Sequence, residues 1–297
     1  MGSVRRLEFA LERAMRSTRL GVFACAALAS LGFVSAPSPS PGAEPGRIVF
    51  SSDRSGDWRI WTVRPDCSDL KQVTDGRKDE HDVDPAWRPD GREILFSSTR
   101  GGTIGVWKTA PDGASLARIC DGDQADWSPD GKSIVFRRGG RLYTRELAGA
   151  KETCITPADW PHPSGPSWSP DGKTIAFACR WQGDNAIYLV DAGGGKPRTV
   201  YDKKGACEPR WSPDGKRLLY ETETHIATIE PDGTGNRLVT WFGGVQRYGQ
   251  WSPDGTWIVF CQAPSEQGPW ELYRIATAGG TPIRITEEGS DMNPDWR

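Results

Sequence analysis

The stretch DWSPDGKSIVF, residues 126–136, decides the fold, because the chain contains five versions of it. The motif tryptophans, with Trp296 as a sixth near the end of the chain, follow one another at intervals of 40 to 45 residues. A repeat of this length that is built from short strands is typical of the blades of a β-propeller. The other four copies are AWRPDGREILF (86–96), SWSPDGKTIAF (167–177), RWSPDGKRLLY (210–220) and QWSPDGTWIVF (250–260).

Each copy of the motif predicts a hairpin. Trp127 ends a first strand, Ser128–Gly131 forms a tight turn, and Ile134–Phe136 returns as a continuous apolar strand that is covered on both faces. Serine suits the first position of the turn, proline fixes φ at the second, and glycine accepts the fourth. Because an aspartate recurs in the turn of every copy, we expect it to bond backbone amides rather than to form a ring of catalytic carboxylates.

A third strand and a shorter, more polar fourth strand follow each hairpin. The fourth strand, such as Arg237–Thr240, suits the outer edge of a sheet. The chain ends at NPDWR (293–297), a first strand with no turn after it, and the repeats begin at GRIVFSSDRSG (46–56), a second strand with no first strand before it. We therefore predict an all-β, six-bladed β-propeller of four-stranded antiparallel blades, in which the C-terminal strand completes the first blade.

The N-terminal region differs from the repeats. Residues 20–36, LGVFACAALASLGFVSA, are apolar and small, Arg16 and Arg19 precede them, and PSPSPG follows. That order is typical of a secretory signal, and the apolar stretch is short for a transmembrane helix. We assign 1–46 to a signal peptide or N-terminal anchor with a proline-rich linker and 47–297 to the propeller. A periplasmic or secreted protein is expected; an uncleaved segment 20–36 would instead anchor it in the membrane.

The distribution of charge excludes one class of partner. The formal net charge of the 297-residue chain is −2, with 37 Lys and Arg against 39 Asp and Glu interspersed along it. No basic stripe appears in the sequence. A nucleic-acid partner is therefore not expected.

The cysteine count leaves disulfides open. Of seven cysteines, Cys25 falls in the leader, and the remaining six are an even number in an exported protein. Cys179 ends a second strand and Cys207 precedes a first strand, so both belong at the same rim and could bridge neighbouring blades. The alternative is that they are small, half-buried thiols.

The repeat WSPDGKxIAF, together with FSSDRSGDWRIW (50–61) and FSSTRGGTIGVW (96–107), resembles the WD40-like repeats of the TolB β-propeller family. The resemblance covers 47–297 and implies the propeller fold. TolB has an additional α/β domain before its propeller, for which we expect no counterpart in the 46 residues here. TolB is a periplasmic link to a peptidoglycan-associated outer-membrane lipoprotein, so the resemblance implies, by analogy of fold, a protein-interaction module of the cell envelope.

Serine-hydrolase chemistry is not expected. Peptidases of the prolyl oligopeptidase group carry similar propellers beside an α/β-hydrolase domain, and that domain needs a Gly-x-Ser-x-Gly elbow. No such elbow occurs in this sequence, and the nearest string, Gly165–Ser169, is part of a repeat. We therefore assign no catalytic residue.

Metal chemistry is the basis of the alternative function. Oligogalacturonate lyases resemble this family in their repeats and use a histidine-rich metal site, whereas this chain has three histidines in three different blades. His81 and His162 precede the first strands of two different blades and could meet near the central channel. The alternative is thus a carbohydrate- or metal-binding propeller, lyase-like, that uses the channel mouth. No cofactor is expected. The segments DEHDVD (79–84) and DGDQAD (121–126) offer enough oxygens for a structural calcium, but the simpler interpretation is that they are solvated loop carboxylates.

The expected binding surface is one rim of the propeller. Because strand directions alternate, every blade sends to that rim the loop before its first strand and the loop between its second and third strands. Exposed aromatic and arginine side chains are typical of binding hot spots. The alternative is that several of the aromatic residues cap the core between blades. We expect an envelope protein partner to contact Arg54, Arg100, Trp160, His162, Arg180, Trp181, Trp241, Phe242, Arg247 and Trp270.

Overall fold

The structure, a computed structural model, describes residues 46–160, 162–181, 184–203 and 205–297. These residues form 24 strands in six four-stranded antiparallel sheets, and no helix occurs among them. The sheets are the blades of a propeller, which confirms the predicted fold class. The predicted signal or anchor, residues 20–36, lies outside the described residues. Within the described part, no helix is long and apolar enough to cross a membrane.

The strands are numbered along the chain, and each blade is given from its inner to its outer strand. Blade 1 contains β24 (Asp291–Trp296), β1 (Ile48–Ser52), β2 (Arg59–Val63) and β3 (Lys71–Gln72), and blade 2 contains β4 (Asp82–Trp87), β5 (Ile94–Ser98), β6 (Gly105–Thr109) and β7 (Ala117–Asp121). Blade 3 contains β8 (Asp123–Trp127), β9 (Ser133–Arg138), β10 (Arg141–Glu146) and β11 (Glu152–Cys154), and blade 4 contains β12 (Ser164–Trp168), β13 (Thr174–Trp181), β14 (Asp184–Asp191) and β15 (Arg198–Tyr201). Blade 5 contains β16 (Cys207–Trp211), β17 (Leu218–Glu221), β18 (Ile226–Ile229) and β19 (Arg237–Leu238), and blade 6 contains β20 (Val245–Trp251), β21 (Trp257–Ala263), β22 (Glu271–Ala276) and β23 (Ile283–Arg284).

Blade 1 is built from both ends of the repeat region. Strand β24 pairs with β1 in an antiparallel register that runs from Ile48 opposite Trp296 to Ser52 opposite Asp291. The Arg54 guanidinium donates to both carboxylate oxygens of Asp291, at 2.8 and 2.6 Å. The predicted closure of the ring by the C-terminal strand is therefore confirmed.

The aspartate of the repeated turn bonds the turn itself. The Ser128 hydroxyl donates to Asp130 Oδ1 at 2.6 Å, and the Lys132 N–H donates to the same oxygen at 3.0 Å. These bonds, with the Ser128 hydroxyl as the largest cause, hold the pKa of Asp130 below its ordinary value. The same two bonds form around Asp171, Asp214 and Asp254. This aspartate is a structural residue, as the sequence predicts.

A threonine after the outer strand ties that strand to its neighbour. The Thr240 hydroxyl is fully buried and accepts the Ile226 N–H at 2.9 Å. Equivalent bonds of 2.9 to 3.1 Å join Thr74, Thr156 and Thr286 to the amides of Ile60, Leu142 and Leu272. The short outer strands are thus held by side-chain bonds as well as by the backbone ladder. The sequence reading did not identify this threonine, although Val-Thr or Ile-Thr recurs at each of these positions.

Cys67 occupies a backbone position that glycine takes in four other blades, at Gly113, Gly194, Gly233 and Gly279. It lies in the turn between β2 and β3 with φ at 72°, whereas two of the matching turns carry Gly113 at 86° and Gly233 at 91°. A left-handed conformation costs a residue with a Cβ atom roughly 1 kcal/mol. The Cys67 Sγ atom lies 3.5 Å from the Arg284 carbonyl oxygen of blade 6, so this strain is located at the junction that closes the ring.

Cys67→Gly is therefore expected to stabilise the protein by about 0.5–1 kcal/mol, because relief of the strain exceeds the added freedom of the unfolded chain. In a domain of this size the gain corresponds to a rise in Tm of about 1–3 °C, which calorimetry can measure. Cys67→Ala is the matched control, because it removes the thiol but keeps the Cβ atom. An equal rise in Tm for both variants would attribute the effect to the thiol and contradict the prediction.

Candidate functional site

Every inner strand bends three residues before its motif tryptophan. The residue at that point has a left-handed backbone, and the register of the strand against its neighbour shifts there. The shift inserts one extra residue, as in a β-bulge, and turns its side chain out of the regular alternation. The six bulge residues are Asp84 (φ 53°), Gln124 (49°), Gly165 (57°), Glu208 (49°), Tyr248 (53°) and Asn293 (53°).

Contacts from the preceding blade support these strained residues. The Gln124 N–H donates to Ser97 Oγ at 2.9 Å, and the Tyr248 N–H donates to Glu221 Oε1 at 2.6 Å. Each non-glycine residue in this conformation costs roughly 1–2 kcal/mol and persists only where its surroundings fix it. The sequence reading missed the bulges. Their signal is the small residue or proline that stands two residues before each motif tryptophan: Pro85, Ala125, Pro166, Pro209, Gly249 and Pro294.

The bulge residues meet at the axis of the ring. They line a cavity of about 50 Å³ whose wall includes residues from all six inner strands. A space of that size holds a few water molecules or one inserted side chain. The charged groups of its wall are four carboxylates and one guanidinium: Asp84, Asp126, Glu208, Asp295 and Arg210. The central channel is therefore acidic.

Two of the channel carboxylates hold the ring together. Asp126 Oδ2 accepts the Trp168 N–H at 2.8 Å, and Asp295 Oδ2 accepts the Trp87 N–H at 2.6 Å. Both bonds join neighbouring blades. In each, the carboxylate belongs to the residue just before the motif tryptophan of one blade, and the amide belongs to the motif tryptophan of the next blade. These two carboxylates therefore have a structural role.

The other two carboxylates, Asp84 and Glu208, belong to blades 2 and 5, which face each other across a ring of six. Asp84 Oδ1 accepts a hydrogen bond from Asn293 Nδ2 at 2.9 Å. The Glu208 carboxylate uses the space beside Gly165, where an added Cβ atom would lie 2.5 Å from Glu208 Oε2. Burial, together with the charges of Asp123 and Glu208, raises the pKa of Asp84 to about 7. Asp84 thus changes charge near neutral pH.

The raised pKa values predict that stability falls as pH rises. Burial raises the pKa of Asp84 to about 7 and that of Asp126 to about 6, both from an ordinary value of 3.8. Between about pH 4 and pH 7 the folded protein then binds more protons than the unfolded chain, so the free energy of unfolding decreases with pH. We expect a lower Tm at pH 8 than at pH 5.

Asp84→Asn tests this assignment. The amide removes a buried charge, keeps an acceptor for Asn293, and tolerates a left-handed backbone. We expect Tm to rise by about 2–4 °C at pH 8, equivalent to about 1 kcal/mol, and by less at pH 5. Asp130→Asn is the control of opposite sign: the pKa of Asp130 is lowered, so this variant should lose stability equally at both pH values. An equal loss of stability in Asp84→Asn at pH 5 and pH 8 would refute the assignment.

Two arginines predicted at the rim instead cover the blades. The Arg54 guanidinium pairs with the buried Asp291 and lies 5.2 Å from the ring centroid of Trp61. Arg100 pairs in the same way with the buried Asp82 and lies over the rings of Phe96 and Trp107, the aromatic pair of blade 2. Both arginine side chains are largely buried and neutralised, so neither supplies the exposed charge that the prediction requires.

Three of the predicted rim aromatics pack in or against the core. The Trp160 ring lies 4.6 Å from Tyr188 and 5.9 Å from Phe177, so it caps the aromatic pair of blade 4. Phe242 packs on the core between blades 5 and 6. Trp270 is buried in the core between blades 6 and 1. For these residues the capping alternative describes the structure, because each fills apolar space between sheets.

The rest of the predicted set differs in exposure. His162 and Arg180 are exposed, and 59% of the Trp241 surface is exposed. Arg247 is half-buried, and its guanidinium donates a hydrogen bond to the Glu266 carboxylate at the rim. Trp181 ends β13, and its side chain lies outside the described part of the structure. Partner binding by any of the ten residues of the predicted set stays a prediction.

The candidate disulfide is not formed, because neither Cys179 nor Cys207 takes part in a disulfide bond. Side chains alternate along β13, and Cys179 points with Phe177 into the core that faces blade 3. Cys207 packs against the core between blades 4 and 5 and donates to Glu221 Oε2 at 3.3 Å. The two thiols therefore enter different spaces between blades, and the alternative of small thiols in packed surroundings is correct.

The acidic loops bond protein groups. Asp82 forms an ion pair with Arg100 of its own blade, and Asp123 accepts two hydrogen bonds of 2.7 Å from Arg137. His81 Nδ1 is buried without a hydrogen-bond partner, whereas His162 is exposed. Among the described residues, no three His, Cys, Asp or Glu side chains are grouped so that they could hold a metal ion. The structural calcium stays an untested prediction.

Comparisons with known proteins agree with this geometry. A family model described as the TolB beta propeller domain matches residues 26–162 and 140–297. The structure of TolB from Acinetobacter baumannii is similar, with a TM-score of 0.72 and 21% identity over 84% of this chain and 66% of that one. A candidate TolB from Agrobacterium tumefaciens is similar with a TM-score of 0.67 and 18% identity over 85% of this chain and 92% of that one.

A third similar structure is an oligogalacturonate lyase in complex with manganese, with a TM-score of 0.54 and 16% identity over 84% of this chain and 75% of that one. At such identities the solved structures show a shared fold alone, and this chain spans 66% of the length of the Acinetobacter protein. No curated protein matches the sequence. Because the family model matches most of the chain, the protein belongs to the TolB β-propeller family.

Proposed function

We propose that the protein is an exported, non-catalytic propeller that binds a protein partner in the cell envelope through its loop rim. Membership of the TolB β-propeller family supports an interaction module, and the apolar segment 20–36 supports export to the periplasm or beyond. The observation that carries the proposal is Trp241, an exposed aromatic residue that the core does not use.

Trp241 lies in the loop between blades 5 and 6, where 59% of its surface is exposed. The neighbouring Phe242 packs on the core, and its ring centroid lies 5.5 Å from that of Trp241. A Cβ atom added to Gly279 would lie 3.6 Å from Trp241, so the indole also rests beside the turn between β22 and β23. Leu238, on the outer strand of blade 5, is 48% exposed. A supported, exposed tryptophan can bury a large apolar area with little loss of side-chain freedom.

The charge of the channel indicates what kind of partner surface fits. Four carboxylates and one guanidinium line the cavity at the axis of the ring. Walls of low dielectric constant focus the field of such charges towards an opening. Electrostatic complementarity accelerates association and selects between partners. We therefore expect the partner segment that meets the channel mouth to be basic.

No specific observation favours the second candidate, a carbohydrate- or metal-binding propeller with lyase-like activity. The oligogalacturonate lyase is 16% identical to this chain, a level at which only the fold is shared. The channel cavity of about 50 Å³ is far smaller than the roughly 300–1,000 Å³ of typical small-molecule sites. Asp126 and Asp295, which would be candidates for acid–base chemistry, accept backbone amides of neighbouring blades.

An affinity capture with matched variants tests the proposal. The tagged exported protein is incubated with solubilised envelope from the source cell, and the retained proteins are quantified by mass spectrometry. Trp241→Ala should reduce the retained partner by about 30-fold or more, because truncation of a hot-spot tryptophan costs about 2 kcal/mol or more. Leu116→Ala is the matched control, since Leu116 is an apolar residue of blade 2 with 40% exposure.

Three results would be informative. One protein retained by the wild type and by Leu116→Ala, but lost from Trp241→Ala, would support both the partner and its site. Retention that is equal in all three proteins would place the partner elsewhere on the propeller. The absence of any protein above background in the wild type would contradict the interaction function itself.

A further inference from the structure

Glu221 is a buried carboxylate where the other blades carry different groups. It follows Tyr220 at the end of β17 and is 3% exposed. The equivalent positions of the other blades hold Ser51, Ser97, Arg137, Ala178 and Cys261. A buried carboxylate needs hydrogen-bond donors or a counter-charge, so its partners indicate its role.

Glu221 contacts two strands. Its Oε1 atom accepts the N–H of the bulge residue Tyr248 at 2.6 Å, which fixes the backbone of a residue that lines the channel. Its Oε2 atom accepts the Cys207 thiol at 3.3 Å and lies 3.6 Å from Arg247 Nε. Burial raises the pKa of the Cys207 thiol well above its ordinary value, so the sulfur keeps its proton and remains a donor.

Arg247 joins this buried carboxylate to two loops of the rim. Its Nη2 atom donates to Glu266 Oε1 and to the Glu223 carbonyl oxygen, both at 2.6 Å. Its Nη1 atom donates to the Thr222 carbonyl oxygen at 3.2 Å. Glu223 and Thr222 belong to the loop between β17 and β18, and Glu266 belongs to the loop between β21 and β22. One guanidinium therefore spans blades 5 and 6.

Other ionisable groups surround the pair. Glu208, on the same strand as Cys207, raises the pKa of Glu221, whereas Arg247 and the Tyr248 amide lower it. The Cys261 thiol of β21 lies in the core between blades 6 and 1, and burial keeps it protonated by raising its pKa well above the ordinary value. His225 lies in the same hairpin as Glu221, with Nδ1 2.7 Å from Gln246 Oε1.

The protonation of Glu221 is balanced near neutral pH. Burial is the largest cause and raises its pKa to about 7, in spite of the opposing charge of Arg247. Above that pH the carboxylate is charged and attracts the guanidinium. Below it the carboxyl group is neutral, and Arg247 keeps Glu266 and the carbonyl oxygens of Thr222, Glu223 and Gln246 as partners.

We propose that Glu221 and Arg247 form a proton-linked latch that couples the channel wall at Tyr248 to the rim loops of blades 5 and 6. Charged Glu221 retains Arg247 against β17 and thereby holds both loops. Uptake of one proton by Glu221 releases this hold, and the loops at 222–225 and 264–269 open more often. In the open state Glu221 stays buried but has lost Arg247, whose charge lowers its pKa, so the proton favours that state. The latch does not depend on the proposed partner, because it acts in the isolated protein.

Hydrogen exchange of the whole exported protein at pH 6 and pH 8, followed by mass spectrometry and corrected for intrinsic exchange rates, tests the latch. The relevant amides are those of Thr222 and Gly268, each of which donates within its own loop, and that of Gln246 in β20, which donates to the Thr224 carbonyl oxygen. We expect these peptides to exchange about five-fold faster at pH 6 than at pH 8, as for the loss of an interaction of modest strength. Peptides from blade 3 should show no such change.

Variants separate Glu221 from other groups. Glu221→Gln should exchange at the fast rate at both pH values, because the amide is neutral throughout. His225→Gln is the control for imidazole, the usual pH-sensitive group near neutrality, and should keep the wild-type response. Arg247→Lys keeps the charge but loses the planar fork, and should loosen the loops at pH 8.

Three outcomes would overturn the latch. They are a wild-type protein whose loops exchange equally at both pH values, a Glu221→Gln variant that keeps the pH response, and a His225→Gln variant that loses it. Should Glu221→Gln not fold, Arg247→Lys decides alone: wild-type protection of its loops at pH 8 would equally refute the proposal.

Discussion

The antiparallel pairing of β24 with β1 is the constraint on which the rest of the structure depends. Each blade is apolar on both faces, so only a closed ring gives every face a neighbour. Without this pairing the core between blades 6 and 1, which contains Trp270 and Trp296, would be open to water. The ion pair of Arg54 and Asp291 strengthens the junction because it joins the two strands at the rim. The channel, the bulges and the contacts between inner strands all follow from the closed ring.

The closed ring also explains how a regular scaffold carries irregular chemistry. Motif residues that build the hairpin repeat closely, whereas the bulge position holds Asp84, Gln124, Gly165, Glu208, Tyr248 and Asn293 in nearly the same left-handed conformation. The backbone, supported by the preceding blade, therefore positions whichever side chain stands there. Acceptors such as Ser97 and Glu221 satisfy the bulge amides, so a change of channel side chain does not require a change of fold.

Blade number, hairpins and ring closure could be predicted from the sequence because they depend on turn chemistry and on the period of the motif. Exposure at the rim could not be predicted. Arg54 reads as an exposed loop residue, and its burial depends on Asp291, which lies 237 residues away in the sequence. The orientation of Cys179 depends on which face of β13 meets which blade, and this is set by register rather than by composition. The bulges left a local signal, but it becomes visible only when the repeats are aligned on their tryptophans.

The aromatic residues of the second and third strands are covered by different side chains in blades 1 to 3 and in blades 4 and 6, and this difference divides the ring into two halves. In blades 1 to 3 an arginine covers the pair and brings its own acidic partner, as Arg138 does with Tyr143 and Glu152, so its charge is neutralised. In blades 4 and 6 an aromatic residue of the preceding loop covers the core, which leaves the neighbouring residue free to face solvent, as Trp241 does beside Phe242. Exposed Arg180 and the pair of Glu221 and Arg247 lie in the same half of the ring. A partner without six-fold symmetry needs such a difference between the halves, because six equivalent blades would offer it six equivalent orientations.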